Sequence, residues 1–151
     1  MLKKDAKIIV LFDASELENR KIVDDFKKKL QEKGAKTLLL GFINAKEFPA
    51  DVVFKQGVDY FNNRDISKLS GLPKAELSAT LSKHQADFFI AAFTEKNYPL
   101  LAIAAETAAN FRIGPFLPKF EDCFDFMIDI KDSSNLTKYL EVVYHYIKAL
   151  K

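Results

Sequence analysis

Two polar loops of this sequence could do chemistry, because each follows an apolar run and leads into a predicted helix. The side chains that could touch a ligand there are Asp13, Ser15, Thr94 and Asn97. Free N–H groups at a helix N-terminus favour anions, so these residues are candidate ligand-binding residues for a small anion or a nucleotide. Taken one by one they also have a simpler interpretation, in which Ser15 and Asn97 cap helices and Asp13 bonds to nearby backbone.

Residues that commonly act as bases or nucleophiles are scarce, with two histidines and one cysteine in the chain. His84 lies three positions before Asp87, but a solvated or capping histidine at a helix end is the favoured interpretation. Cys123 has no basic neighbour within two positions to lower its pKa. Such a set cannot build a cysteine-rich zinc site. We therefore expect no catalytic residues, no metal site and no cofactor, which leaves enzymatic activity open but disfavoured.

Glycines are also few, with five in 151 residues. A dinucleotide fingerprint needs glycines after its first strand, so that the backbone can approach a pyrophosphate. The turn after the first apolar run contains none, and no Walker P-loop is present. NAD or FAD binding of the usual kind is therefore disfavoured.

Charge and hydropathy exclude further classes of protein. The chain has 23 basic and 21 acidic residues, and only Arg20, Arg64 and Arg112 are arginine, the residue favoured for phosphate and guanine contacts. This balance disfavours nucleic acid as a partner. No stretch approaches the ~20 apolar residues of a membrane span. We expect a soluble cytoplasmic protein without a membrane partner, and the single cysteine agrees with a reducing compartment.

Aromatic residues supply a second kind of candidate site. Phe116, Phe120 and Phe124 lie in a segment without a strong predicted element, and if exposed they would form an apolar patch of the kind that marks an interface. Tyr139 and Tyr146 lie on a second apolar face of the predicted last helix. We therefore expect these five residues to contact a protein partner, with a weak homodimer as the first possibility.

Alternating strands and helices must position all these residues. Short apolar runs predict six strands, at 7–12, 37–42, 58–61, 87–92, 111–114 and 126–130. Helical spacing and stop signals predict four helices, at 15–34, 74–84, 98–109 and 135–150. Residues 43–57 are predicted to form a loop with a turn of helix.

This alternation predicts a single α/β domain over residues 1–151, a three-layer sandwich with a mostly parallel, Rossmann-like sheet of five to six strands. The expected strand order is 3-2-1-4-5-6, with a flavodoxin-like order as the alternative. In either order a ligand would bind at the carboxyl ends of the strands, near the point where the order reverses.

Parts of the chain resemble known families. Residues 7–30, with Asp13 and Ser15 ahead of an amphipathic helix, resemble the opening of universal stress proteins, which pair Asp and Ser at that turn. Members that bind ATP carry a late glycine-rich loop, whereas this sequence has only Gly114 in its last third. Residues 87–116 are similar to the amino-terminal half of heptosyltransferase-like glycosyltransferases, which bind their nucleotide sugar mostly in a second domain. That second resemblance implies the fold more than the activity.

Over its full length the sequence resembles a family of small uncharacterised Rossmann-like α/β proteins. The matching segments are Phe12–Asp13, Arg112–Gly114 and Asp125–Ile130. The leading hypothesis for function is a non-catalytic or degenerate Rossmann-like module that acts through protein contacts. The alternative is a small-anion or nucleotide-binding protein that uses the two polar loops.

Overall fold

Parallel strands form the centre of the fold in the computed structural model, which describes residues 3–131 and 135–149. Within these ranges the strands are β1 (Lys7–Asp13), β2 (Lys36–Ile43), β3 (Val58–Asn62), β4 (Ala86–Ala92), β5 (Ala109–Pro115) and β6 (Phe126–Ile128). The helices are α1 (Leu17–Glu32), α2 (Ala75–Lys83), α3 (Tyr98–Glu106) and α4 (Leu136–Ala149). No helix in this part of the chain is long and apolar enough to cross a membrane.

The six strands pair in the order β3-β2-β1-β4-β5-β6, and every neighbouring pair is parallel. The predicted α/β class, the Rossmann-like sheet and the first of the two strand orders are thus confirmed. The order reverses between β1 and β4, so the loops that follow these two strands lie side by side.

Helices cover both faces of the sheet, which explains why the strands are apolar throughout. Successive residues of β1 point to opposite faces. Ile8, Val10 and Phe12 belong to the core shared with α1 and α4, whereas Ile9 and Leu11 belong to the core shared with α2 and α3. The central strands therefore hold the two polar loops at the end of a sheet that helices cover on both faces.

Helix α3 ends three residues earlier than the predicted 98–109, and the cause is tertiary. Thr107 is fully buried, and its hydroxyl donates to the carbonyl oxygen of Ile103 at 2.8 Å. The guanidinium of Arg112 on β5 donates to the carbonyl oxygens of Ala104 and Thr107. Together with the bond that the Ala104 oxygen accepts from the Thr107 N–H at 3.3 Å, these bonds give the carbonyl groups of the last turn partners, so the helix stops although its alanine-rich sequence could continue.

Gly114 of β5 provides space for an aromatic ring. A Cβ atom added at this glycine would lie 2.5 Å from the ring of Phe124, closer than any real contact. Phe124 itself is buried in the core shared with α2 and α3. The lone glycine of the last third of the chain therefore serves packing in the core.

We expect Gly114→Ala to lower the free energy of unfolding by about 1–3 kcal/mol, because the methyl group must displace the Phe124 ring from a packed core. Urea denaturation of the purified protein measures this loss. In a Phe124→Leu background, which removes the ring, the same substitution should cost clearly less. An equal cost in the two backgrounds would contradict this explanation.

Candidate functional site

A crevice of about 250 Å³ opens between the loops that follow β1 and β4. It lies where the strand order reverses, the usual ligand position in open α/β sheets. Its wall is formed by Asp13, Asn19, Ala92, Phe93, Thr94, Glu95, Lys96, Asn97, Leu100 and Leu136. Three of the four predicted ligand residues thus line one cavity, and Ser15 does not.

The carboxylate of Asp13 is oriented by the turn that follows β1. Its Oδ1 atom accepts a hydrogen bond from the backbone N–H of Ser15 at 3.0 Å. Asn19, in the first turns of α1, donates from its amide nitrogen to the backbone oxygen of Asp13 at 3.2 Å. Both side chains are half-buried. The two polar groups on the β1 side of the crevice are therefore held in place by local bonds.

Ser15 is not the N-cap of α1, which corrects the sequence prediction. The capping position is occupied by Glu16, whose side chain makes no capping hydrogen bond. The hydroxyl oxygen of Ser15 instead accepts from the backbone N–H of Asn44, 29 residues away, at 2.9 Å. The reason is that the loop after β2 lies beside this turn, and its amide finds an acceptor in the hydroxyl. Ser15 therefore ties two loops together outside the crevice wall.

Asn97 caps α3 as predicted. Its Oδ1 atom accepts from the N–H of Leu100 at 3.2 Å, and Pro99 stands in the first turn. The residue also lines the crevice together with Thr94. Its amide group therefore sits at the boundary between the helix end and the cavity.

Asn19, Glu95, Lys96 and Leu136 also line the crevice, although sequence reasoning did not select them. Glu95 and Lys96 lie between Thr94 and Asn97 in the loop after β4, so their position in the sequence was sufficient to predict them as ligand residues. Asn19 is one helical turn beyond the predicted turn, and only the direction of α1 brings it back toward the end of β1. Leu136 comes from the far end of the chain, and no local signal indicates its position.

Charge is distributed unevenly around the crevice. On the β1 side, Asp13 is followed by Glu18 in the first turn of α1. On the β4 side, the first turn of α3 has no acidic residue, and Lys96 directly precedes its capping residue. The Nζ atom of Lys96 lies 5.1 Å from the ring centre of Tyr98. The β4 side is therefore the part of the crevice more favourable to an anion, although Glu95 is also there.

Two of the five predicted interface residues are buried inside the chain, which corrects that part of the prediction. Phe124 packs on Gly114, and Tyr139 is fully buried with its hydroxyl donating to the carbonyl oxygen of Ala91 at 2.7 Å. The second face of α4 thus points partly into the sheet. Phe116 and Tyr146 are 40% and 43% exposed. The fifth residue, Phe120, is half-buried against Tyr98, their ring centres being 6.1 Å apart.

The structure provides no activated nucleophile at Cys123. Partial burial raises the pKa of this thiol, the charge of Asp122 raises it further, and Arg112 lowers it. The thiol is therefore protonated at neutral pH and poorly nucleophilic.

Acidic residues outside the crevice have structural partners or stand apart from one another. The carboxylate of Asp87 accepts a hydrogen bond from the backbone N–H of Lys7 at 2.8 Å. Within residues 3–131 and 135–149, no group of three or more His, Cys, Asp or Glu could hold a metal ion.

The fold and the position of the crevice define a Rossmann-like α/β protein with a candidate ligand site at the switch point of its sheet. The chain belongs to the family described as "Family of unknown function (DUF6913)", which matches residues 1–150. No curated protein matches the sequence. The resemblance to universal stress proteins therefore stays a prediction.

Among solved structures the chain is similar to the Escherichia coli heptosyltransferase WaaC with ADP. The TM-score is 0.60 at 12% sequence identity, and the match covers 96% of this chain and 48% of that chain. The protein thus spans about half the length of this structural neighbour. At such low identity the similarity concerns the fold alone.

Proposed function

We propose that this protein binds a small polar ligand in the crevice between the loops after β1 and β4. The observation that carries the proposal is the open cavity at the point where the strand order reverses, lined by side chains from both loops. Of the two hypotheses that the sequence allows, ligand binding needs such a cavity, and protein contact does not.

The size of the crevice limits the ligand. Pockets for drug-sized ligands have volumes of roughly 300–1,000 Å³, and this one has about 250 Å³. The turn after β1 has no glycine to let a pyrophosphate approach the backbone. A small anion or a small phosphorylated molecule therefore suits the crevice better than a complete dinucleotide.

The lining of the crevice combines apolar and polar side chains. Leu100 and Leu136 are buried side chains that exclude water from one part of the wall. Asp13, Thr94 and Asn97 supply a carboxylate, a hydroxyl and an amide. A few polar groups of this kind fix the orientation of a ligand, while the apolar contacts contribute to its affinity.

Thermal unfolding of the intact chain with a panel of small ligands tests the proposal. The panel contains inorganic phosphate, small carboxylates, sugars, sugar phosphates, and ADP because the structural neighbour was solved with it. A ligand at about 100 times its Kd should stabilise the protein by roughly 2.7 kcal/mol. Asp13→Ala should weaken binding of a hydroxyl-bearing ligand about tenfold or more, through loss of a charge-assisted hydrogen bond, and should strengthen binding of inorganic phosphate or a simple carboxylate, through loss of like-charge repulsion.

Asp59→Asn is the matched control, because Asp59 is an exposed carboxylate on β3, away from the crevice. This variant should bind like the parent protein. If no member of the panel raises the melting temperature, or if Asp13→Ala and Asp59→Asn have equal effects, the crevice is not the binding site.

A partner-binding role has less support from the structure. Phe116 and Tyr146 remain exposed among the residues predicted for an interface, whereas Phe124 and Tyr139 contribute to the interior. Burial of these two aromatic rings removes much of the apolar area that an interface needs. The geometry therefore favours the binding of a small ligand over the binding of a protein partner.

A further inference from the structure

We infer that the ligand is a phosphorylated polyol, with its hydroxyl groups toward Asp13 and Asn19 and its phosphate toward Lys96. This inference rests on the proposed function and specifies its ligand class. It follows from the different chemistry of the two sides of the crevice, which come from different strands and helices.

The β1 side suits hydroxyl groups and repels phosphate. A carboxylate is an acceptor only, and sugar hydroxyls are donors that match it. Asp13 keeps a defined orientation because its Oδ1 atom accepts the N–H of Ser15, and the neighbouring α1 begins with Glu16 and Glu18. Asn19 presents an amide beside it, fixed by its bond to the Asp13 backbone oxygen. This side therefore combines orienting polar groups with negative charge.

The β4 side holds the cation that an anionic group needs, although the exposed carboxylate of Glu95 lies in the same loop. Lys96 is the only basic side chain in the crevice wall formed by the described residues. Its ammonium group rests on the ring of Tyr98, which is 62% exposed and packs edge-on against Phe120. An exposed cation–π contact is weak beside a charge-assisted hydrogen bond to phosphate, so the ammonium can leave the ring for a ligand. Tyr98 is thus a positioning residue for Lys96.

A ligand with only a phosphate or only hydroxyl groups would use one side of the crevice and not the other. Inorganic phosphate would use Lys96 and give the carboxylate of Asp13 no donor beyond the Ser15 N–H. An unphosphorylated sugar would leave Lys96 on its aromatic ring. The volume of about 250 Å³ leaves little space for a nucleobase in addition to sugar and phosphate. A molecule that combines hydroxyls and one phosphate uses both sides at once.

NMR titration of the ¹⁵N-labelled full chain tests this inference. The probes are glucose 6-phosphate, ribose 5-phosphate and glycerol 3-phosphate, each with its unphosphorylated counterpart, and inorganic phosphate alone. We expect at least one phosphorylated polyol to shift the amide signals of residues 92–97 and to bind at least tenfold more tightly than its counterpart and than phosphate. Lys96→Gln should remove that preference for the phosphorylated form. Asp13→Asn should weaken the binding of glucose, ribose or glycerol, and the phosphorylated form of each should still bind more tightly than its counterpart.

Lys83→Gln is the matched control, because Lys83 is an exposed lysine at the end of α2, whereas the crevice lies beyond the carboxyl ends of β1 and β4. Tyr98→Leu should weaken the binding of the phosphorylated probes only. If another member of the ligand panel shifts the signals of residues 92–97 and no phosphorylated polyol does, the inference fails and the proposed function stands. If Lys96→Gln weakens phosphorylated and unphosphorylated probes equally, the inference also fails. If no ligand of the panel shifts these signals, both are wrong.

Discussion

Tyr139→Ala is expected to lower the free energy of unfolding by about 3–5 kcal/mol, the range for removal of a large buried aromatic side chain. Tyr139 is fully buried in the core between the sheet and the helices α1 and α4. The substitution would leave a cavity where α4 packs on the sheet, and the carbonyl oxygen of Ala91 would lose the hydrogen bond from the hydroxyl. Urea denaturation of the variant and the parent protein measures the loss.

Tyr139→Phe separates the hydrogen bond from the packing. It keeps the ring and removes only the donor to Ala91, so the expected loss is about 1–3 kcal/mol. Tyr146→Phe is the matched control, because Tyr146 is on the same helix and 43% exposed, and its loss should stay within about 0.5 kcal/mol. Equal stabilities of Tyr139→Phe and Tyr146→Phe would contradict the role of this bond.

The same residue makes stability depend on pH in the alkaline range. Burial raises the pKa of Tyr139 well above the ordinary value for tyrosine. The unfolded chain therefore releases this proton near pH 10, whereas the folded chain keeps it, so the contribution of Tyr139 is constant below about pH 10 and decreases above it. The free energy of unfolding should fall less steeply above pH 10 in Tyr139→Phe than in the parent protein.

Arg112→Met is expected to lower the free energy of unfolding by about 3 kcal/mol. The guanidinium donates to two carbonyl oxygens at the end of α3, and hydrogen bonds with a charged partner contribute ~1.5–3 kcal/mol each. It also lies 5.4 Å from the ring centre of Phe89, which is fully buried. Methionine fills a similar volume but donates to neither carbonyl oxygen, so that of Ala104 keeps the Thr107 N–H at 3.3 Å and that of Thr107 loses its charged donor.

Arg112→Lys distinguishes charge from geometry at this position. Lysine keeps the positive charge, but one ammonium group cannot reproduce the planar fork that reaches both Ala104 and Thr107. The loss in the lysine variant should therefore be smaller than that in the methionine variant and still measurable by urea denaturation. If the free energy of unfolding of Arg112→Met lies within about 0.5 kcal/mol of that of the parent protein, the guanidinium does not stabilise the end of α3.

Much of the fold follows from local patterns in the chain. The apolar runs of β1 and β4 are long enough for buried strands and are bounded by polar residues, so they predict strands with a polar loop at the end of each. Asn97 predicts a helix start because its short amide side chain can accept a backbone N–H two or three positions later. The same rule predicts Ser15 as a helix cap, and that prediction is wrong, because its hydroxyl oxygen accepts the backbone N–H of Asn44 from another loop.

The candidate site shows the same division. Asp13, Thr94 and Asn97 could be named from the sequence because they follow strands whose order places their ends together. Asn19 and Leu136 could not, since the direction of α1 and the packing of α4 bring them to the crevice. Phe124 and Tyr139 illustrate the opposite error, because aromatic side chains in a loop or on a second helix face look exposed until their partners Gly114 and Ala91 are known.

Local patterns in the sequence predict the class of fold, a preferred strand order and the loops at which a ligand could bind, because these depend on hydrophobic periodicity and on the polar residues that end each run. The folded structure selects between the two strand orders and shows where α3 stops, which aromatic rings are interior, and which side chains complete the crevice. Those features depend on contacts between residues distant in the chain, such as Arg112 with the end of α3, Phe124 with Gly114, and Tyr139 with Ala91. A local pattern carries no information about such partners until the chain has folded.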